Sequence, residues 1–441
     1  MKIIRDIETA KSTLLKRLPA GTVELPPQVK QRIRDTFGQE LTAEAVVERI
    51  IADMRSNGDA AISEYAEKLD GAKLDRFEVT REEISAAKEK ADEKLLTSLE
   101  IAAERIRAFH LRQRDSLPLG RSEFGEGIGQ LLAPLERVGV YAPGGTASYP
   151  STVLMTAIPA KAAGVDEVIL ATPPQPDGHI PPLTLAAAQI AGVDRVFAIG
   201  GAAAVAALAF GTESVPKVDK ICGPGNIFVM LAKKQVFGAV AIDGLQGPTE
   251  TIVLADDSAR PVSCAADLLA QAEHDELSSA IMITTSASLA EKVSDEVGNQ
   301  LAELDRGEIA RKSLEQHGGI VVTESMDEAI ELVNAYAPEH LCLLVEDSNS
   351  VAGKIRHSGG IFIGESSPEV LGDYVAGPSH VMPTGGTARF SSPLNVLDFL
   401  KVTSLVELGE KSFKELAPHA KAIASAEGLT AHAQAVIRRQ L

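Results

Sequence analysis

The stretch APEHLCLLV, Ala337 to Val345, sets an acid and a base, Glu339 and His340, at the mouth of an apolar run. Leu341 to Val345 reads as a buried strand, and Ala337-Pro338 as the turn leading into it. Two polar groups at such a junction are either the solvated end of a loop or an acid/base pair presented on a rigid element. A second constellation is LLAQAEHD, where Gln271 and His274 stand three apart in a helical stretch and share a face. That spacing suits two ligands of one metal, although it also suits an exposed polar face. Asp373 and His380 lie together in the long glycine-rich loop GDYVAGPSHVMPTGGTARF, and ordered loops of that kind tend to carry function. His432, in GLTAHAQAV, adds an imidazole that by itself reads as a surface histidine. Imidazole with carboxylate or amide oxygen suits Zn²⁺, with Mn²⁺ or Co²⁺ as further options. No paired cysteine spacing exists, which excludes a zinc finger.

These residues need elements to hold them. From about residue 137 the chain alternates short β-branched runs with Ala-rich helical stretches: RVGVYAPGG, EVILATPP, RVFAIGG and KICGPGN. A second set, ETIVLAD, SAIMITT, GGIVVT, HLCLLV and GGIFIG, begins near 250. Strand starts every 25 to 30 residues are the size of a βα unit, so an α/β fold with parallel sheets is expected. The glycine turns YAPGGTASYPS, IGGAAAVAALAF and ICGPGN are candidates for a phosphate or dinucleotide, because backbone amides and a helix N-terminus favour anions. None is G-x-G-x-x-G, and each is as readily a mere turn. Cys222, in the last of them, could carry a covalent thiohemiacetal if its thiolate were stabilised. The charged, helix-prone first 130 residues and a helical stretch after 385, which must pack on its own chain or on a partner, complete the organisation.

The expected division is a helical N-terminal segment at 1–24, a discontinuous α/β domain from 25–136 and 248–384, a second α/β domain at 137–247, and a helical tail at 385–441. With 441 residues, two or more domains are required. The hydrophobic fraction of 45% is globular, and 4% aromatic content without Trp points to aliphatic helix-on-sheet packing. A net charge of −18 argues against nucleic-acid or anionic-membrane partners. Three scattered cysteines and an N-terminus without an apolar signal core fit a cytoplasmic protein.

Taken in order, FHLRQ, RVGVYAPGGTASYPSTVLM, GGAAAVAALAFGTESVPKVDKICGPGN, GPTETIVLAD, LLAQAEHD, APEHL, SGGIFIG, GDYVAGPSHVMPTGGTARFS and AEGLTAH closely resemble the histidinol dehydrogenase family. The resemblance implies a homodimer, domain-exchanged, with two Rossmann-like domains and one Zn²⁺ per subunit. It implies oxidation of L-histidinol to L-histidine through the aldehyde with two NAD⁺. Carried over by position, the metal ligands are Gln271, His274, Asp373 and a partner-supplied His432. Substrate contacts are Thr249, His340, His380 and Glu427, together with the ligand residues, and NAD contacts are Tyr141 and Asn226. His340 becomes the base for the alcohol, and Glu339 the activator of water. Ala203, Thr249 and Val402 stand where the family commonly has Gln, Ser and Arg. A paralogue acting on another small alcohol, such as a sulfonated propanediol, is the alternative those departures raise.

Overall fold

The computed structural model describes residues 1–17, 25–144 and 148–439. Two six-stranded sheets carry the molecule. In the first, the strands run Ile3–Ile4, Gly319–Val322, Ser279–Thr284, Glu250–Ala255, His340–Leu344, Gly360–Ile363, all parallel. In the second the order is Glu78–Val79, Arg195–Ala198, Glu167–Thr172, Arg137–Tyr141, Lys220–Cys222, Ala241–Ile242, with only the edge strand Glu78–Val79 antiparallel. Strands buried on both faces read as continuous apolar runs, as IVLA and IMI do here. The two parallel sheets expected from the strand–turn–helix rhythm are therefore present.

The expected domain grouping is not. The sequence pattern groups residues 25–136 with the domain of 248–384, yet their apolar side chains pack on the sheet of 137–242. Ile33, Ile50, Ile62 and Phe77 share one core with Phe197, Val205 and Ile221. Leu99 and Ile106 share another with Val138, Leu154 and Leu170. The first sheet instead recruits the N-terminal residues. Ile3–Ile4 add an edge strand beside Ile320–Val321, and Ala10 and Leu15 join its core. The expected helical segment 1–24 thus opens on a strand, and its residues 18–24 lie outside those described.

A third, antiparallel sheet joins Gly120–Gly125, Ile128–Pro134 and Leu400–Val406. It corrects two expectations, a helical 1–130 and a wholly helical tail. Its hairpin turns through Glu126 (φ 54) and Gly127 (φ 74), the left-handed pair that a two-residue turn between twisted strands requires. Beyond it, helices Glu410–Ala426 and Thr430–Ile437 pack on one another. They leave Leu416, Ile423 and Leu429 between 43% and 60% exposed. Among the described residues no helix is long and apolar enough to cross a membrane.

Candidate active site

The two sheets offer opposite ends to one region. Strand order reverses in the second sheet between Arg137–Tyr141 and Lys220–Cys222, and ligands of open α/β sheets gather beyond the carboxyl ends at such a reversal. Tyr141 and the turn Gly223–Asn226 lie there. In the first sheet the chemistry sits at the amino ends instead: Thr249 precedes Glu250–Ala255, and Glu339–His340 open the adjacent strand. Helix Met326–Tyr336 stops at Ala337, whose φ of 54 is left-handed and unusual for a residue with a Cβ. That turn, closed by Pro338, delivers the pair to the amino end of an interior strand.

Both members are buried, at 6% and 4% exposure, so the solvated-loop reading of the junction does not hold. Oε2 of Glu339 accepts from the Thr249 hydroxyl at 2.5 Å and from the Glu250 amide at 3.1 Å. Burial nevertheless dominates and pushes its carboxyl up to about 7. Nε2 of His340 lies 3.2 Å from Oδ1 of Asp373, and its ring stacks on Phe362 with centroids 5.7 Å apart. Its Nδ1 is buried without a hydrogen bond, 3.6 Å from Glu339. Burial opposes charge on this imidazole, but Glu339, Asp373 and Glu369 together outweigh it and raise its pKa to about 10.

Gln271 does not project from a helix face beside His274. The helix Pro261–Ala272 ends between them, and His274 falls in the following turn. The Gln271 amide, 1% exposed, satisfies all its neighbours in one orientation. Its nitrogen donates to Glu369 at 3.2 Å, and its oxygen accepts from the Glu250 amide at 2.7 Å and meets the Thr249 hydroxyl at 2.5 Å. Thr249 has one hydrogen for two acceptors, Glu339 and the Gln271 oxygen, so it donates to one of them at a time. Glu369 also accepts from Thr251 at 2.8 Å. It escaped the sequence reading, although it lies four residues before Asp373 on helix Glu369–Tyr374, an i,i+4 relation that was legible.

His274, His340, His380 and Asp373 form one electrostatic group. Burial raises the Asp373 carboxyl, but the hydrogen bond and charge of His340 lead the influences that outweigh it and hold the carboxyl low. Burial depresses His274 and His380, leaving neutral imidazoles with lone pairs. Nδ1 of His380 is 2.8 Å from the Asp373 carbonyl, and Nε2 is 3.4 Å from the Thr152 hydroxyl. His274 is open to solvent on one side, and Asp373 is half-buried. A neutral imidazole, a low-pKa carboxylate and an amide oxygen are donor types that suit zinc, although among the described residues no group of three His, Cys, Asp or Glu gathers to hold a metal. Glu427 and His432 are not brought to this group. Both side chains are exposed on the C-terminal hairpin, and neither is among the leading charges on His274, His340 or Asp373.

A cleft of about 1430 Å³ is walled by Tyr141, Gly200, Ala203 and Asn226 and reaches Pro248 and Glu250, whose amide bonds Glu339, without being lined by Glu339 or His340 themselves. The Tyr141 hydroxyl accepts from the Gly201 amide at 3.0 Å, and the Asn226 side chain caps helix Ile227–Val236. Gly223 (φ 116) must be glycine, because a Cβ there would stand 2.2 Å from the Tyr141 carbonyl. The buried Lys233–Asp243 pair grips this turn from below: Nζ donates to the Gly223 carbonyl at 3.0 Å, and Asp243 accepts its amide at 2.7 Å. Of the YAPGGTASYPS turn, Gly145–Ala147 lie outside the described residues. Cys222 is wholly buried in its strand and its thiol is pushed far up by burial, so no thiolate faces the cleft. Cys222→Ser is therefore expected to keep activity within about threefold of the parent. A loss of most activity would restore the covalent reading.

The histidinol dehydrogenase family model matches residues 34–440 of the chain. A histidinol dehydrogenase of Dehalococcoides mccartyi is 54% identical over 439 residues, covering 100% of both chains. One from Deinococcus radiodurans is 49% identical over 441 residues, again covering 100% of each. The crystal structure of histidinol dehydrogenase from Elizabethkingia anophelis matches with a TM-score of 0.89 at 34% identity, over 100% of this chain and 98% of that one.

Proposed function

The chain belongs to the histidinol dehydrogenase family, and on that premise we propose that it oxidises L-histidinol to L-histidine through L-histidinaldehyde, with two NAD⁺ and one Zn²⁺ per subunit, in the cytoplasm. The observation that carries this reading is the buried Glu339–His340 pair, bonded to Asp373 and Thr249. Gln271, His274 and Asp373 would hold the metal. Zinc, when bound, supplies a Lewis-acid anchor for the substrate's imidazole and amino nitrogens.

The remaining chemistry is divided by the pair. His340 in its neutral form accepts the substrate's hydroxyl proton as hydride leaves for the nicotinamide, and the carboxylates that raise its pKa make that form scarcer as pH falls. Glu339, poised near neutrality by burial, takes a proton from the water that attacks the aldehyde. The hydrated carbonyl then gives up the second hydride. Tyr141 and Asn226 serve the dinucleotide, while Thr249 and His380 contact the substrate.

The exposed apolar face of the C-terminal hairpin supports a homodimer in which a second copy covers Leu416, Ile423 and Leu429. His432 of the partner subunit then supplies the fourth ligand, and Glu427 of the partner subunit meets the substrate ammonium. Sedimentation at the mass of one chain would remove that part of the reading. Dialysis against a chelator is expected to abolish NADH formation from L-histidinol, with Zn²⁺ restoring it. Full activity after removal of all bound metal would overturn the zinc assignment.

A further inference from the structure

The cleft holds a carboxylate that the chemistry above leaves unused. Asp70 ends the helical turn Ala66–Asp70, just before Gly71 (φ 72). Its two oxygens lie 3.0 and 3.1 Å from where a Cβ on Gly200 would stand, so the acid sits against the glycine turn that opens helix Gly201–Phe210. Its charge also reaches the Tyr141 phenol, and all three residues line the cleft. No protein donor among the described residues bonds this carboxylate, although burial pushes its pKa up to about 6. A half-buried acid without a donor is costly unless a ligand supplies one.

The surroundings indicate which ligand. The lining of the cleft includes an apolar and partly aromatic group, Val29, Ile33, Phe37, Tyr65 and Leu69, suited to a flat base. Against Asp70 stand Gly200–Gly201 and a helix amino end, suited to a pyrophosphate. Base, diol and pyrophosphate follow one another in a dinucleotide, and a carboxylate against the glycine turn is placed for the diol.

We propose that Asp70 accepts hydrogen bonds from the adenosine ribose diol of the dinucleotide and repels a 2′-phosphate, so that it sets the preference for NAD over NADP. This deepens the NAD-dependent reading and rests on it. An acid paired with the diol recurs in dinucleotide folds from the end of a sheet strand. Here it arrives from a helix of residues 25–136, the segment that packs on the second sheet. Arg32, whose charge also reaches Asp70, donates to the Leu69 carbonyl at the cleft wall and becomes available to a 2′-phosphate once the acid is gone.

Calorimetric titration of the zinc-loaded full chain with NAD and with NADP tests this without relying on turnover. The parent is expected to bind NAD at least about tenfold tighter than NADP, the scale of a charge-assisted hydrogen bond. Asp70→Asn should weaken NAD by about tenfold and strengthen NADP, a gain that mere local unfolding cannot produce. Titration of the parent with the 2′-deoxyadenosine analogue of NAD should show the same tenfold loss and needs no variant to fold. Unchanged affinities in both the Asp70→Asn and the deoxy titrations, or a parent that binds NADP as well as NAD, would overturn the role of Asp70 while leaving the cofactor reading standing. A parent that binds neither dinucleotide would overturn the cofactor reading itself.

Discussion

Replacing His340 by asparagine is expected to lower kcat on L-histidinol by about 10² to 10⁴-fold, the range for loss of a positioned general base. Nε2 lies 3.2 Å from Asp373, and stacking on Phe362 fixes the ring, so the imidazole has one orientation in which to meet a substrate held by the neighbouring donors. Asparagine keeps a polar group beside Asp373 and Glu339 but has no basic nitrogen. Zinc content and melting temperature should stay near those of the parent, because the asparagine amide can still donate to Asp373. A variant within fivefold of the parent kcat would show that the hydroxyl proton leaves by another route.

The second large effect separates the two oxidations. Glu339→Gln keeps the size of the side chain, and its amide oxygen can still accept from Thr249 and from the Glu250 amide. It cannot take a proton from water. Alcohol oxidation should therefore persist, while oxidation of added histidinaldehyde falls by about 10² to 10⁴-fold. The pH dependence carries the same signature. Burial raises the Glu339 carboxyl to about 7, so below that pH the group is protonated and cannot act as a base. The rate of aldehyde oxidation should rise as pH rises through about 7, and that limb should vanish in the variant. Equal losses in both half-reactions would assign Glu339 to holding Thr249 and the amino end of the neighbouring strand rather than to activating water.

Much of this site was legible from local pattern. Ala337-Pro338 before an apolar run correctly marked where a helix hands over to a buried strand, and the strand–glycine–helix rhythm gave both parallel sheets. What was not legible is non-local. Nothing in the chain order says that residues 25–136 cover the sheet that follows them rather than the one that resumes at 250, since apolar helix faces are interchangeable until they are packed. Nor could periodicity show that the first sheet works from its amino ends, because that depends on which ends the second sheet faces. Glu369 was passed over because a carboxylate in a helix reads as surface, and only the structure buries it at 1% exposure against Thr251 and Gln271. The hairpin at 120–134 was a missed signal: Gly-Glu-Gly between two runs is turn chemistry, hidden by the charged helices before it.

Counting product tests the four-electron oxidation of L-histidinol by one site. Zinc-loaded protein is given limiting L-histidinol and excess NAD⁺, and NADH is measured at completion. A ratio near two NADH per L-histidinol is expected, with L-histidine as the only organic product. A ratio near one, with aldehyde accumulating, would contradict the assignment of the second step to Glu339. No NADH at all from the zinc-loaded chain would contradict the substrate and send the search to other small alcohols.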